Sequence, residues 1–107
     1  MTNAVAKNLR CAADLIEKFG LAKHTFSDDK GAYCIRGAIN LCRNGTPWGH
    51  NNLDEEEAVA NYLGLEVDEL NSSGDLIAGW NNKYARTKGE VISALRNTAD
   101  KLETVSA

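Results

Sequence analysis

Apolar residues recur along this chain at helical rather than strand spacing. Val5, Leu9, Ala12, Ile16 and Phe19 advance in steps of four, three, four and three, which sets them on one face of an α-helix. Thr2 or Asn3 is placed to cap its start and Gly20 to give a left-handed stop. Arg10, Asp14 and Lys18 are spaced for i,i+4 pairing on its outer side. Residues 21–30 lose the pattern, and Ser27-Asp28-Asp29-Lys30-Gly31 reads as a reversing turn flanked by a short extended piece. Ile35, Ala38, Ile39 and Cys42 then resume helical spacing until Asn44-Gly45 and Pro47 end it. Gly37 inside that second helix costs roughly 1 kcal/mol relative to Ala, which implies that another backbone packs close against it.

A polar loop from Thr46 to Asn52 carries Trp48, and Asn52 or Asp54 opens a third helix. Its acidic first turn, Asp54-Glu55-Glu56-Glu57, suits the positive end of a helix dipole, with Val59, Tyr62 and Leu63 as the buried face. Gly64 stops this helix; Leu65, Val67 and Leu70 are expected to add a brief helical turn, and residues 75–80 to form a short fourth helix. The last helix is the clearest. Thr87-Lys88-Gly89-Glu90 has capping-box spacing, and Val91, Leu95, Thr98, Leu102 and Val105 follow in heptad-like steps to about residue 104. Four to five helices joined by short loops predict an all-α compact bundle, one domain over residues 1–107, with the long first and last helices packed together.

Composition fits that picture. Of 107 residues, 43% are hydrophobic and 25% charged, the balance of an ordinary globular domain rather than a disordered chain. The formal net charge of −3 makes nucleic acid an unlikely partner, because a duplex binder needs a basic surface to displace counterions. No stretch approaches the roughly 18 to 20 apolar residues that span a bilayer, and the N-terminus lacks an apolar signal region. A soluble cytoplasmic protein with no membrane role is expected. In that compartment Cys11, Cys34 and Cys42, an odd set, read as reduced thiols rather than a disulfide framework.

Candidate chemistry is sparse. Setting Gly74 at the sharp turn of a calcium loop puts Glu69, Asn71, Ser73 and Asp75 at oxygen positions, but the closing carboxylate falls on Trp80, which has no oxygen. Zinc would need His24, Cys34, Cys42 and His50, and no close chelating pair exists among them. No metal and no cofactor are expected. Cys34, near a helix start where the dipole lowers a thiol pKa and with His24 as a base, is a weak candidate nucleophile, and no motif joins the two.

The connection from Gly79 to Thr87 is the densest in Trp, Asn, Tyr and Arg. One reading makes it structural, with Trp80 filling the core, Asn81 satisfying backbone groups between helices and Arg86 pairing with a carboxylate. The other makes Trp80, Asn81, Tyr84 and Arg86 a recognition surface, since Trp, Tyr and Arg anchor interfaces. Basic Lys83, Arg86, Lys88 and Arg96 around the start of the last helix give a third reading, weak nucleic-acid binding.

Leu9-Arg10-x-Ala12-Ala13-Asp14-Leu15-Ile16-Glu17 with Gly20, Tyr33-Cys34-x-x-Gly37-Ala38-Ile39, Trp80-Asn81 and Arg86-Thr87 with Val91-Ile92 carry a resemblance across nearly the whole chain. The chain resembles a family of small proteins of unknown function from actinobacteria and their phages. That pattern has a helix ending in Gly-Trp and a Trp-Asn-Asp segment leading to Arg-Thr, where this chain has Leu21 and Asn82 instead of the Trp and the Asp. The amide at Asn82 speaks against a catalytic or metal-binding carboxylate there. The resemblance implies a bacterial or phage origin and carries no known activity. A protein-binding or regulatory module is the first expectation, a thiol-dependent enzyme using Cys34 the alternative.

Overall fold

The structure is a computed structural model that describes residues 3–49 and 53–106. Thr2, His50 and Asn52, named above as candidate caps or ligands, lie outside the described residues, as does the side chain of Val105. Five helices follow in order: α1 (Ala4–Phe19), α2 (Ile35–Asn44), α3 (Asp54–Leu63), α4 (Ser73–Asn82) and α5 (Lys88–Ser106). The all-α expectation is borne out, and α1 and α5 pack on each other along their length.

Their pairing is antiparallel and zipped by charge. Arg10 reaches Asp100 at 2.9 Å and Glu103 at 2.8 Å, Arg96 reaches Asp14 at 2.9 Å and Glu17 at 3.2 Å, and Lys88 donates to the Glu17 carbonyl at 3.1 Å. Arg10 and Asp14 thus pair across the seam rather than along α1, because α5 brings partners nearer than the next helical turn does. Such half-exposed pairs contribute little individually, about 0 to 1 kcal/mol. Burial holds the seam: Leu9, Ala12, Ala13 and Ile16 of α1 and Val91, Leu95 and Ala99 of α5 are fully buried, about 1.5 to 3 kcal/mol for each large side chain. Ala6 joins that face, whereas Phe19 stays largely exposed and meets the edge of Tyr33 at 6.1 Å.

Asn3 caps α1, its Oδ1 accepting from Ala6 N–H at 3.0 Å. Gly20 stops the helix with φ 103° and ψ 170°, a glycine-only extended conformation rather than the expected left-handed helical one. The chain leaves it extended, so that Ala22 N–H reaches the Tyr33 carbonyl at 2.9 Å and Tyr33 N–H the Gly20 carbonyl at 3.1 Å. Asp28 builds the predicted turn between them, accepting from Lys30 and Ala32 N–H, both at 2.9 Å. The close approach inferred at Gly37 is present: a Cβ there would stand 1.9 Å from the Phe26 carbonyl oxygen.

Two expectations fail at α3 and beyond it. Tyr62 is exposed, and Val59 and Ala60 form the buried face. Glu55 and Glu56 of the acidic first turn are 1% and 0% exposed; Glu55 accepts from Asn8 at 2.7 Å and Arg43 at 2.5 Å, and Glu56 accepts from Arg36 at 2.9 Å and Leu53 N–H at 3.1 Å. The segment after Gly64 is not helical, because the Asp68 carboxylate captures the N–H groups of Leu70 and Asn71, both at 2.8 Å, and turns the chain. That leaves Leu70 88% exposed. Helix α4 is longer than expected at both ends and starts on a reciprocal cap in which Ser72 Oγ accepts from Asp75 N–H at 3.1 Å and Asp75 accepts from Ser72 N–H at 3.4 Å. Of the calcium-loop residues, Asn71 and Asp75 are bound in the turn and in the cap.

One covalent feature overturns the reduced-thiol expectation. Cys11 of α1 and Cys42 of α2 form a disulfide, their Cα atoms 6.0 Å apart, within the ordinary reach of the bond. The odd cysteine count hid it, because helix packing rather than sequence spacing brings the two together.

Candidate functional site

Residues from four separate segments converge at one end of the bundle. The segment after α1 supplies His24, Thr25 and Phe26, the start of α2 supplies Cys34 and Arg36, the loop after α2 supplies Trp48, and α4 supplies Ala78 and Asn82; together they line a cleft of about 470 Å³. The Phe26 and Trp48 rings meet edge to face at 5.8 Å. Arg36 lies over the other ring neighbour, its guanidinium 5.2 Å from the Phe26 centroid, and is neutralised by Glu56 with Asp75 at 3.9 Å. Trp48 is 52% exposed, so half of an indole faces water at the cleft wall.

His24 forms the lip. Among the described residues it is the one non-glycine residue with positive φ, 65°, a strain of order 1 kcal/mol. Its N–H is held by Asn82 Oδ1 at 2.8 Å, and the neighbouring Lys23 ammonium donates to the carbonyls of Lys83 at 2.5 Å and Tyr84 at 3.1 Å. These bonds tie the lip to the end of α4 and place the exposed Tyr84 beside it.

Cys34 sits in the cleft floor, 5% exposed, at the N-cap of α2, where its Sγ accepts from Gly37 N–H at 3.3 Å. Burial pushes its thiol pKa up; the backbone N–H groups of Gly37 and Arg36 oppose this and only partly offset it. The dipole-lowered thiolate expected for a nucleophile is thus not what the environment favours. His24 and Cys34 line the same cleft, yet no hydrogen bond joins their side chains among the described residues. Cys42, one of the four residues weighed for zinc, is in the disulfide, and no group of three or more potential metal-ligating side chains occurs among the described residues.

The quartet Trp80, Asn81, Tyr84 and Arg86 is not brought together as one surface. Asn81 is fully buried: its Oδ1 accepts from Ile35 N–H at 3.0 Å and its Nδ2 donates to the Ala22 carbonyl at 3.1 Å, which is the structural task foreseen for it. Trp80 is half-buried against the core rather than filling it, and lines a second groove with Tyr62, Thr87 and Glu90 between α3 and α5. Arg86 stacks on the Trp80 ring at 4.0 Å, donates to the Trp80 carbonyl at 3.0 Å and pairs with Glu90 at 2.8 Å. Tyr84 alone is wholly exposed. Of the basic residues weighed for nucleic acid, Arg86, Lys88 and Arg96 are all bonded to acceptors of this chain. Sequence reasoning paired His24 with Cys34, noted Trp48 apart from them, and missed Phe26, Arg36 and Asn82 as their neighbours. The only local signal was Gly37, which marks where residue 26 must cross α2.

A five-helix all-α bundle with a loop-built cleft at one end is the class of protein these features define. Residues 1–101 match DUF6197, a family of unknown function, and the chain belongs to that family. Comparison with curated proteins and with solved structures gave no match.

Proposed function

We propose that this chain is a small cytoplasmic binding or regulatory module of bacterial or phage origin, and that it meets a protein partner through the cleft lip and the adjoining Tyr84. One observation carries the reading: an edge-to-face Phe26–Trp48 pair, half of it in water, stands beside a strained polar lip on loops held by a rigid bundle. Concave aromatic walls with a few fixed polar groups are the usual form of an anchor pocket, and Trp and Tyr supply most of the energy at such contacts. The test is capture with purified wild-type chain alongside Trp48→Ala and Tyr84→Ala, both expected to fold as the parent does. A partner retained by the wild type and lost by both variants supports the reading. Equal recovery by all three, or nothing above background, ends it.

A thiol-dependent enzyme remains the second reading, favoured by the shared cleft of His24 and Cys34. Iodoacetamide labelling of Cys34 in the folded protein well below pH 8 would support it. A thiol silent until denaturation removes it.

A further inference from the structure

We propose that the Cys11–Cys42 disulfide is a reversible redox latch on the loop that carries Trp48. Cys42 lies in the last turn of α2, three residues before Gly45, where the loop to Trp48 begins. Its partner Cys11 lies on the exposed side of α1, while Cys42 is half-buried against the core. A reductant therefore meets Cys11 Sγ first.

Among the described residues this loop is held by the edge-to-face contact of Trp48 with Phe26 and by a few hydrogen bonds. Gly45 N–H donates to the Leu41 carbonyl at 3.0 Å, and beyond it the bonds are long: Asn40 Nδ2 to the Pro47 carbonyl at 3.4 Å and Trp48 N–H to Thr46 Oγ1 at 3.4 Å. Asn40 Oδ1, buried beside it, has no hydrogen-bond partner among the described residues. Arg43 holds the helix end to Glu55 from the other side. The contact between α1 and α2 does not rest on the bond alone, because Leu9, Ala13, Ile16, Ile35, Ala38 and Ile39 are fully buried apolar side chains of the two helices. Opening the bond therefore removes the covalent tie of this helix end to α1 and loosens the loop that follows, while the Arg43–Glu55 pair and the bundle core stay in place.

The chemistry is thiol–disulfide exchange with a dithiol reductant. One thiolate of the dithiol attacks Cys11 Sγ, the S–S bond breaks, and Cys42 leaves as a thiolate that takes up a proton. The second thiol of the dithiol then displaces Cys11 from the mixed disulfide. Two electrons and two protons pass to the protein, and the dithiol becomes a disulfide. In a reducing compartment such bonds are transient and sensory rather than structural. The significance for Trp48 rests on the cleft being the binding surface; the latch itself does not.

The experiment uses the full chain, oxidised or treated with millimolar dithiothreitol at neutral pH, with alkylation mapped by mass spectrometry and amide hydrogen exchange measured on both forms. The expected result is labelling of Cys11 and Cys42 in the folded protein with Cys34 protected, at least tenfold faster exchange confined to residues 42–49, and return of protection on reoxidation. A Cys11→Ser/Cys42→Ser double variant should show the reduced exchange pattern without reductant. Resistance of the bond until the protein is denatured, unchanged exchange at 42–49, or loss of protection throughout the chain overturns the proposal. Because no ligand enters the measurement, its failure is separate from failure of the binding reading.

Discussion

Asn81 joins three parts of the fold with one amide, since its two ends serve Ile35 N–H and the Ala22 carbonyl. Replacing it with Ala orphans both buried backbone groups, each worth about 1 to 3 kcal/mol. Asn81→Ala is therefore expected to lose about 3 kcal/mol in urea denaturation, while Lys83→Ala, exposed two residues later, stays within about 0.5 kcal/mol. Cys34 gives a pH-dependent counterpart. Its raised pKa means that the unfolded chain releases the thiol proton at lower pH than the folded one does. The stability it contributes is fully present below the ordinary thiol value, about 8.5, and is lost as pH rises from there through the raised folded value. Native alkylation of Cys34 should stay slow across that range, and a Cys34→Ala protein should show a flatter decline of stability above about pH 8.5.

Helix α5 starts on a reciprocal cap, with Thr87 N–H donating to Glu90 at 3.1 Å and Glu90 N–H donating to Thr87 Oγ1 at 3.2 Å. The Thr87 backbone N–H first, then Arg86, hold the Glu90 carboxyl below its usual value. The sign is that of a depressed acid: the cap is at full strength above the ordinary Glu value, about 4.3, and is lost as pH falls through the lower folded value. Amide exchange at residues 88–91 should accelerate in that acid window, and Glu90→Gln should remove the pH dependence. This cap was legible in the sequence, as were α1, α2 and α5, because each rests on local spacing: a cap, an apolar stripe, a glycine stop. The failures share the opposite character. The acidic first turn of α3 announces a dipole partner but not that Glu55 and Glu56 are buried, which depends on Asn8, Arg36 and Arg43 arriving from other helices. Leu65 to Leu70 keeps an apolar content that suits a helix, but Asp68 intercepts its amides. The cleft was half legible, since His24 and Cys34 stood out together and only packing brings Trp48, Phe26, Arg36 and Asn82 to them.

The Cys11–Cys42 bond closes a stretch of chain with a sequence separation of 31. Restricting the unfolded chain by a loop of that size stabilises the fold by about 3 to 4 kcal/mol on the chain-entropy account. A Cys11→Ser/Cys42→Ser protein should unfold at correspondingly lower urea concentration with helical circular dichroism retained in buffer, because domains of this size hold about 5 to 15 kcal/mol in reserve. An unchanged midpoint would mean that the oxidised chain gains nothing from the crosslink.

The bonds that shape the cleft span long stretches of sequence: Asn82 to His24 across 58 positions and Asn81 to Ala22 across 59. Contacts so distant close only after the intervening loops have lost their freedom, so the cleft belongs to the finished fold and to no fragment or early intermediate. Whatever settles there binds the native state alone, and mass action turns that exclusivity into a signal. A ligand at about a hundred times its Kd adds about 2.7 kcal/mol, enough to raise the melting temperature by roughly 10 °C or more for a chain this small. Thermal scanning against chemically diverse ligands can therefore find what fills the cleft before anyone knows what to look for, and Trp48→Ala should abolish the shift.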